Sequence, residues 1–221
     1  TVNKVIADGF PFSLTIGIYA SLVVVFAGIL FGSVCALRQN KLIDRFFMVL
    51  STLGSTIPSF VLATGFLFLF SKTLGLVPAF GVDEVAGYIG PVLVIGAFPL
   101  SFITRLTRTS LVEVQQQDYI RTARSKGISE FKVIYKHALR NALLPVVTYI
   151  GPMVASIVTG SFVIETVFGI PGVGQLYTDS IVNRDYPLIM GITVFFAVLL
   201  VLAVLIVDLV YVLIDPRIKL D

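Results

Sequence analysis

The densest group of ionisable side chains in this sequence lies in the segment "RTARSKGISEFKVIYKHALRNALLP", residues 121–145. The segment contains three Lys, three Arg and one His. Such a cluster could bind nucleic acid, an anionic lipid surface or a site on another protein. The sequence has no Gly-x4-Gly-Lys-Ser/Thr loop that would bind the phosphates of ATP. We therefore predict a binding role for this segment and no enzymatic activity for the chain.

The sequence also offers little for a metal or redox site. Its single cysteine, Cys35, lies in an apolar run, where a small buried side chain is expected. His137 is the only histidine, and its place among basic residues predicts a solvated side chain rather than a ligand. We expect this chain to bind no metal and no cofactor.

The elements that must carry the basic segment are membrane helices. The sequence is 57% hydrophobic and 13% charged, with a mean hydropathy of +0.98, which is outside the range of soluble proteins. A helix that crosses about 30 Å of hydrocarbon needs about 20 apolar residues. The sequence therefore predicts an all-α integral membrane protein, with a single transmembrane domain over residues 1–221. Five runs are long and apolar enough to be spans: residues 14–37, 46–70, 88–104, 146–164 and 188–214.

The cations are divided unevenly between the predicted loops. All but three of the 16 Lys and Arg lie in segments 38–45 and 105–145 and in the C-terminal tail. Cytoplasmic loops are enriched in Lys and Arg, so residues 105–145 and the C-terminus are predicted to be cytoplasmic. Residue 1 would then lie outside, and we expect a sixth span to precede it in a longer protein.

Residues 118–145 are predicted to form a helical hairpin, called the basic hairpin below. Asp118 is expected to cap a first helix, which Gly127 ends in the left-handed conformation. Ser129 is expected to cap a second helix, which breaks before Pro145. One apolar face of the second helix is predicted from the spacing of Phe131, Ile134, Tyr135, Ala138, Leu139 and Ala142.

Three interpretations of the basic hairpin remain open on these residues alone. A DNA-binding helix-turn-helix fits the glycine turn and the charge, but attachment to membrane spans at both ends argues against nucleic acid. A hairpin that lies on anionic membrane lipid and an element that docks on a cytoplasmic partner both fit the pattern. The short first helix and the glycine turn favour docking.

Five segments resemble the B-type permease subunit of the dipeptide/oligopeptide/nickel branch of ABC importers. They are "LIDRFFMVLSTLGSTIPSF", "RLTRTSLVEVQQQDYIRTARSKG", "ETVFGIPGVG", "RDYPLIMG" and "DLVYVLIDPRI". Ala123, Gly127 and the later Leu-Pro are similar to the cytoplasmic loop signature of such permeases, which reads Glu-Ala-Ala, three residues, Gly and then Leu-Pro. Arg121 and Thr122 stand where Glu and the first Ala would be, and the distance from Gly to Pro is longer. In both departures the sequence resembles the pattern of the dipeptide/oligopeptide/nickel branch.

The resemblance implies a type I ABC importer permease fold and a division of labour among subunits. The partners would be a second, C-type permease, two cytoplasmic ATPase subunits that hold ATP and Mg²⁺, and an extracytoplasmic solute-binding protein. The location would be the plasma (inner) membrane of a bacterium or archaeon. The solute would be a di- or oligopeptide, with nickel or an oligosaccharide as alternatives.

Candidate site residues lie in three places. By resemblance, the basic hairpin would couple to an ATPase subunit through Tyr119, Arg121, Thr122, Ala123, Arg124, Ser125, Lys126, Gly127 and Glu130. Hydroxyl side chains around a proline in the second run suggest a solute path at Ser51, Ser55, Pro58 and Ser59. An external loop over residues 165–186 is expected to form a structured turn or re-entrant lid with Glu165, Phe168, Pro171, Gly172 and Gly174.

One carboxyl group, that of Asp208, lies within the last apolar run. A carboxylate in the hydrocarbon is costly, so we predict a basic partner for it, such as Arg105 or Arg108. A proton relay through Asp208 would instead indicate a proton-coupled secondary transporter, which usually needs more intramembrane ionisable groups. A membrane-anchored scaffold is a third possibility, but it would not need the proline-containing spans that this sequence has.

Overall fold

A computed structural model describes residues 1–82 and 84–214, apart from the side chains of residues 208 and 210–214. The backbone of this part is mainly helical and contains no β-strands, which confirms the predicted all-α class. The α-helices there are α1 (Val2–Leu37), α2 (Leu42–Thr56), α3 (Ser59–Phe66), α4 (Ile89–Gln115), α5 (Asp118–Ser125), α6 (Glu130–Lys132), α7 (Leu139–Ala142), α8 (Leu144–Val158), α9 (Phe162–Phe168), α10 (Val173–Val182) and α11 (Tyr186–Ile214). A π-helix, Leu67–Thr73, continues α3, and a second one, Val133–Ala138, joins α6 to α7. A 3-10 turn, Val85–Tyr88, precedes α4.

The number of candidate spans agrees with the sequence prediction when two broken helices are included. By length and composition, three helical segments could each cross a membrane: Val2–Leu37, Val85–Gln115 and Tyr186–Val207. Two bent pairs pass the same test if each is one span: Leu42–Thr56 with Ser59–Thr73, and Glu130–Ala142 with Leu144–Val158. The described residues therefore contain three to five candidate spans.

The helices differ from the predicted runs mainly at their ends. α1 begins at Val2, and α4 continues beyond Thr104 to Gln115, because polar residues outside the hydrocarbon can extend a helix. The second run is divided at Pro58, which precedes α3. Proline lacks an N–H group and disfavours helix at the preceding residue, so the break lies where the sequence predicts a perturbation. The fourth run ends at Val158 rather than at residue 164.

The described chain separates into two compact units. The first contains Thr1–Leu22, Ile57–Ala97 and the described residues from Gly151 onward. Its core includes Ile6 and Ile192, and the rings of Phe10 and Phe195 meet edge to face, with their centroids 5.2 Å apart. The second unit contains Val23–Thr56 and Phe98–Ile150, and it includes the basic hairpin.

In the second unit, two glycines allow α1 to lie close against α4. Gly28 and Gly32 are one helical turn apart. A Cβ atom added at Gly28 would lie 2.7 Å from Cγ2 of Ile103, and one at Gly32 would lie 2.6 Å from the carbonyl oxygen of Thr104. Small residues at this spacing are typical of close helix contacts in membranes. The position of α4, and of the arginines on it, therefore depends on these glycines.

A buried ion pair joins α2 to α4 within the same unit. Asp44 accepts hydrogen bonds from Nε and Nη2 of Arg108 at 2.6 and 2.7 Å. The Asp44 carboxylate also accepts a 2.8 Å bond from the backbone N–H of Asn40, which has a left-handed φ of 63°. Asp44 thus fixes both the turn before α2 and the contact with α4. The partner predicted for Arg108, Asp208, has a side chain outside the described part of the chain.

We predict that Asp44→Ala lowers the free energy of unfolding by about 3 kcal/mol, near the lower end of the range for breaking a buried ion pair. The reason is that Arg108 would lose its carboxylate partner while remaining largely buried, with 22% of its side chain exposed. Thermal unfolding of the purified protein measures the loss. The exposed pair Asp118–Arg121 provides the control, because Asp118→Asn should change stability by less than about 1 kcal/mol. Equal effects of the two substitutions would contradict this assignment.

Candidate functional site

The first helix of the basic hairpin, α5, ends in a fully bonded left-handed turn. Gly127 has a φ of 73°. The N–H of Ile128 donates to the carbonyl of Ala123 at 3.3 Å, and the N–H of Gly127 donates to the carbonyl of Arg124 at 3.0 Å. This pair of bonds is a Schellman motif, and it confirms the predicted left-handed end at Gly127. The predicted cap at Asp118 is wrong, since the helix begins at Asp118 itself and its N-cap, Gln117, makes no side-chain bond.

A charged clamp closes the same turn from outside. Arg124 donates from Nε and Nη2 to the two carboxylate oxygens of Glu130 at 3.1 and 2.7 Å. The Arg124 guanidinium holds the pKa of the Glu130 carboxyl below its usual range. Glu130 lies in the first turn of the second helix, as predicted, but Ser129 makes no side-chain cap there. The clamp and the Schellman motif together fix the angle between the two helices of the hairpin.

The second helix differs from the regular α-helix that the sequence predicts. A π-helical segment, Val133–Ala138, interrupts it. A π-helix has a wider turn, so the predicted α-helical face is broken. Ala138 and Ala142 are buried as predicted, but Phe131 and Tyr135 are 68% and 55% exposed, and their rings lie against each other at 4.4 Å between centroids. The prediction of one continuous apolar face is therefore wrong.

The hairpin rests on a small apolar core that belongs to the second unit. Ala36 of α1 and Leu111 of α4 supply one side of this core. The hairpin supplies the other side, with Ile120, Ala123, Val133, Ala138 and Ala142. At one edge of the hairpin, Asn141 donates to the hydroxyl oxygen of Tyr119 at 2.8 Å. A displacement of α5 would therefore disturb the contacts of α1 and α4.

The residues predicted to contact an ATPase subunit fall on two sides of α5 and its turn. Ala123 is 8% exposed and faces the apolar core described above, so it supports the helix from behind. The remaining eight are exposed: Tyr119, Arg121, Thr122, Arg124, Ser125, Lys126, Gly127 and Glu130. The hairpin thus presents one polar, mainly cationic surface.

The predicted solute-path residues occupy the two helices on either side of the break at Pro58. Ser51 is buried and Ser55 is half-buried on α2. Nη1 of Arg105 donates to the Ser55 hydroxyl oxygen at 3.0 Å and to the Ser51 carbonyl at 3.4 Å. Pro58 and Ser59 are exposed at the start of α3. In the second unit, these contacts place an arginine beside two of the serines.

The segment predicted to be an external loop, residues 165–186, includes the end of α9, all of α10 and a buried carboxyl group. Glu165 is 1% exposed, and its Oε2 accepts bonds from the N–H groups of Gly174 at 2.7 Å and Gln175 at 3.2 Å. The hydroxyl oxygen of Ser13, on α1, accepts a 3.0 Å bond from the N–H of Val173. The first three N–H groups of α10 are therefore bound by side chains from outside this helix, and the carboxyl group of Glu165 lies at its positive end.

Burial and hydrogen bonding shift the pKa of the Glu165 carboxyl group in opposite directions. It raises the pKa of Glu165, and hydrogen bonds from the Ser13 side chain and from the backbone of Gly174 and Gln175 act against the rise. Phe168 is 3% exposed and Gly172 and Gly174 are buried, whereas Pro171 is exposed. These residues lie in and between α9 and α10, and the external position and the lid role of the segment stay predictions.

Two residues that hold these sites together were not singled out by the sequence, and the partner of a third was not predicted. Ser13 lies in an apolar run like many other serines, and Asp44 resembles a routine first-turn acid of α2. Arg108 was named only as a possible partner of Asp208, and its bonds to Asp44 were not expected. Their importance follows from partners that are 64 and 160 residues away. Among the described residues, no group of three or more His, Cys, Asp or Glu could hold a metal ion.

Residues 28–220 match the model of a protein family described as "Binding-protein-dependent transport system inner membrane component". The chain belongs to this family. It is therefore a multi-pass inner-membrane component of a transport system rather than an enzyme, as the sequence predicts.

Named relatives cover almost the whole chain. The dipeptide transport system permease protein DppB of Bacillus subtilis is 49% identical over 220 residues, which are 100% of this chain and 71% of the relative. The oligopeptide transport system permease protein OppB of Haemophilus influenzae is 43% identical over 221 residues, covering 99% of this chain and 72% of that protein. These similarities confirm the resemblance seen in the sequence motifs.

Solved structures of transporters share the fold. A chain of the inward-facing MetNI methionine ABC transporter superposes with a TM-score of 0.74 at 16% identity, covering 94% of each chain. A chain of an amino acid ABC transporter with histidines gives a TM-score of 0.70 at 16% identity, covering 98% of this chain and 95% of that one. At this identity the comparison establishes the type I importer permease fold.

Gly172→Ala is predicted to destabilise the external loop by about 1–3 kcal/mol. The added Cβ would overlap Oε2 of Glu165 and lie 2.6 Å from Oγ of Ser13. In a Glu165→Ala background the same substitution should cost less, because one of the two obstacles is gone. Thermal unfolding of the purified parental protein, the two single variants and the double variant gives both costs.

Gly65→Ala is the matched control, since a Cβ there would have no neighbour within 4 Å. It should stabilise rather than destabilise the protein, by up to about 1 kcal/mol, because Gly65 lies in a helix, where alanine is favoured over glycine. An equal cost of Gly172→Ala with and without Glu165 would show that the carboxyl group does not limit the space around Gly172.

Proposed function

We propose that this chain is the permease subunit that forms part of the solute path of an ABC importer for di- or oligopeptides. The support for the solute class is the naming of relatives that are 40–49% identical over essentially the full chain. The proposed solute path passes the hydroxyl side chains of α2 and the start of α3, at Ser51, Ser55, Pro58 and Ser59. The importer also contains a second permease subunit and an extracytoplasmic binding protein that delivers the peptide.

The basic hairpin couples this path to ATP hydrolysis on a separate subunit. The observation that carries this proposal is the construction of the hairpin: α5 is exposed on one side and rooted in α1 and α4 on the other. A rigid helix of this kind can transmit a push, because its Schellman turn and the Arg124–Glu130 clamp leave little freedom between its two helices. Two cytoplasmic ATPase subunits bind ATP and Mg²⁺, and one of them receives α5.

The proposed orientation places the basic hairpin and the C-terminus in the cytoplasm and residues 165–186 outside. It rests on the uneven distribution of Lys and Arg between the loops. The external loop then faces the binding protein, with α9 and α10 held by Glu165 and Ser13. Surrounding membrane lipid contacts the exposed apolar side chains of the spans.

Single cysteine probes test this orientation in a Cys35→Ala background. Ser125→Cys and Lys219→Cys should be protected from a membrane-impermeant thiol reagent added to intact cells. Glu84→Cys and Asp179→Cys should react, since both native side chains are exposed on the proposed outer side. Reaction of the Ser125→Cys probe from outside would overturn both the orientation and the coupling role of the hairpin.

Gly127→Val should give a normally inserted complex that takes up peptide several-fold more slowly. Its φ of 73° costs a β-branched side chain about 1–2 kcal/mol, although a Cβ would meet no atom within 4 Å. Relief of this strain would tilt α5 away from its partner. The measurements are peptide uptake and ATP hydrolysis by the whole complex in proteoliposomes.

Two control variants distinguish an effect on the Gly127 turn from a general loss of function. Gly127→Asn adds bulk but tolerates the left-handed conformation, so it should retain most uptake. Gly75→Val imposes the same kind of strain at a φ of 62° outside the basic hairpin, and it should leave coupling unchanged. Uptake by Gly127→Val at the parental rate would rule out the coupling role of this turn.

A further inference from the structure

Two arginines on one face of α4 have different surroundings in the second unit. Arg108 is neutralised by the buried carboxylate of Asp44 through two short bonds. Arg105, one turn earlier, donates only from Nη1, to the hydroxyl oxygen of Ser55 and the carbonyl of Ser51. Among the described residues, the ion pairs are those of Asp44, Asp118 and Glu130, and none involves Arg105.

The neutral oxygens around Arg105 orient its guanidinium without cancelling its charge. An arginine has five N–H donors in a planar fork. In the described part of the chain, the Nε and Nη2 groups of Arg105 have no acceptor, while Nη1 is held by α2. A half-buried cation of this kind attracts an anion, and the planar fork matches a carboxylate with two parallel bonds.

The position of Arg105 also fits a polar path. It lies on the part of α4 that belongs to the second unit, within the apolar segment Val85–Gln115 that could cross a membrane by length and composition. Ser55, which binds it, is one of the hydroxyl side chains of the proposed solute path.

We propose that Arg105, held by Ser55, binds the free carboxylate of the solute as it passes. This inference rests on the proposed peptide importer function, since di- and oligopeptides carry a terminal carboxylate. Arg105 is then a specificity-determining residue of the permease, separate from the selection made by the binding protein. Arg108 has a structural role, because its charge is already satisfied.

The test compares uptake of Ala-Ala with uptake of its C-terminal amide. Both are supplied at saturating concentration to the complete complex in proteoliposomes with its binding protein, so that the maximal rate reports passage rather than capture. Arg105→Gln should lower the maximal rate for Ala-Ala about tenfold, the effect of a lost hydrogen bond to a charged group. The rate for the amide should change less than about twofold. Arg105→Lys, which keeps the charge without the fork, should restore part of the preference for the carboxylate.

Lys41→Gln removes one exposed cation from the loop between α1 and α2 and serves as the charge control. It should leave both rates unchanged. Equal losses for Ala-Ala and its amide in Arg105→Gln would overturn the proposal, because Arg105 would then bind lipid phosphate or another part of the protein. The same loss in Asp208→Asn, with no further loss in the double variant, would assign Asp208 as the partner of Arg105 and would also overturn it.

Failure of the proposed function has a different signature in this assay. Wild-type complex that takes up neither Ala-Ala nor a longer alanine oligopeptide, as the free acid or as the amide, would overturn the peptide importer function and, with it, this role of Arg105. Wild-type uptake of Ala-Ala with an unchanged preference in Arg105→Gln would overturn the role of Arg105 alone. The melting temperature of each variant separates the two causes of a lost rate, because unfolding would lower uptake of Ala-Ala and of its amide alike, whereas loss of carboxylate binding lowers uptake of Ala-Ala selectively.

Discussion

Helices in and beside a membrane must satisfy the backbone groups at each of their breaks, and this requirement governs the structure of this chain. Little water is available there to bind a free N–H or carbonyl group. The chain meets the requirement with the same device at two positions. α5 ends at Gly127 and α9 ends at Gly169 in left-handed turns, with the bonds from Ile128 to Ala123 and from Ile170 to Glu165. The beginning of α10 is bound by Glu165 and Ser13 instead.

These satisfied breaks explain how a very apolar chain can present two rigid polar surfaces. The basic hairpin has an exposed cationic side, yet its other side packs through Ile120 and Val133, both fully buried. The segment of α9 and α10 buries the Glu165 carboxyl group at the start of a helix, where the partial positive charge of the N–H groups offsets part of the burial cost. In both places, hydrogen bonds to backbone N–H groups hold the loop in a fixed conformation.

The two arginines of α4 show how the same residue type can have different roles three positions apart. Arg108 faces Asp44, and the pair fixes α2 against α4 at a place where one charge alone would be costly. Arg105 faces a serine hydroxyl and a carbonyl oxygen, which bind it without neutralising it. A structural role and a binding role are therefore distinguished by the partner rather than by the residue. The close approach of α1 at Gly28 and Gly32 fixes α4, on which both arginines lie.

The sequence by itself determined the features that depend on local composition. Apolar run length predicted the spans, and the glycine-containing turn predicted the left-handed end of α5 at Gly127. The motif order predicted the family. These predictions succeed because hydrophobicity and backbone preference act over a few residues.

Only the tertiary structure decided which polar groups meet. The bonds of Asp44 with Arg108 and of Ser13 with Val173 join residues far apart in the chain, so no local pattern marks them. The π-helical segment at Val133–Ala138 changed the register of the second hairpin helix, and it exposed Phe131 and Tyr135 where an α-helical period predicts a common face with Ala138. Pairing and register depend on which helices become neighbours, and the linear order of residues does not contain that information in local form.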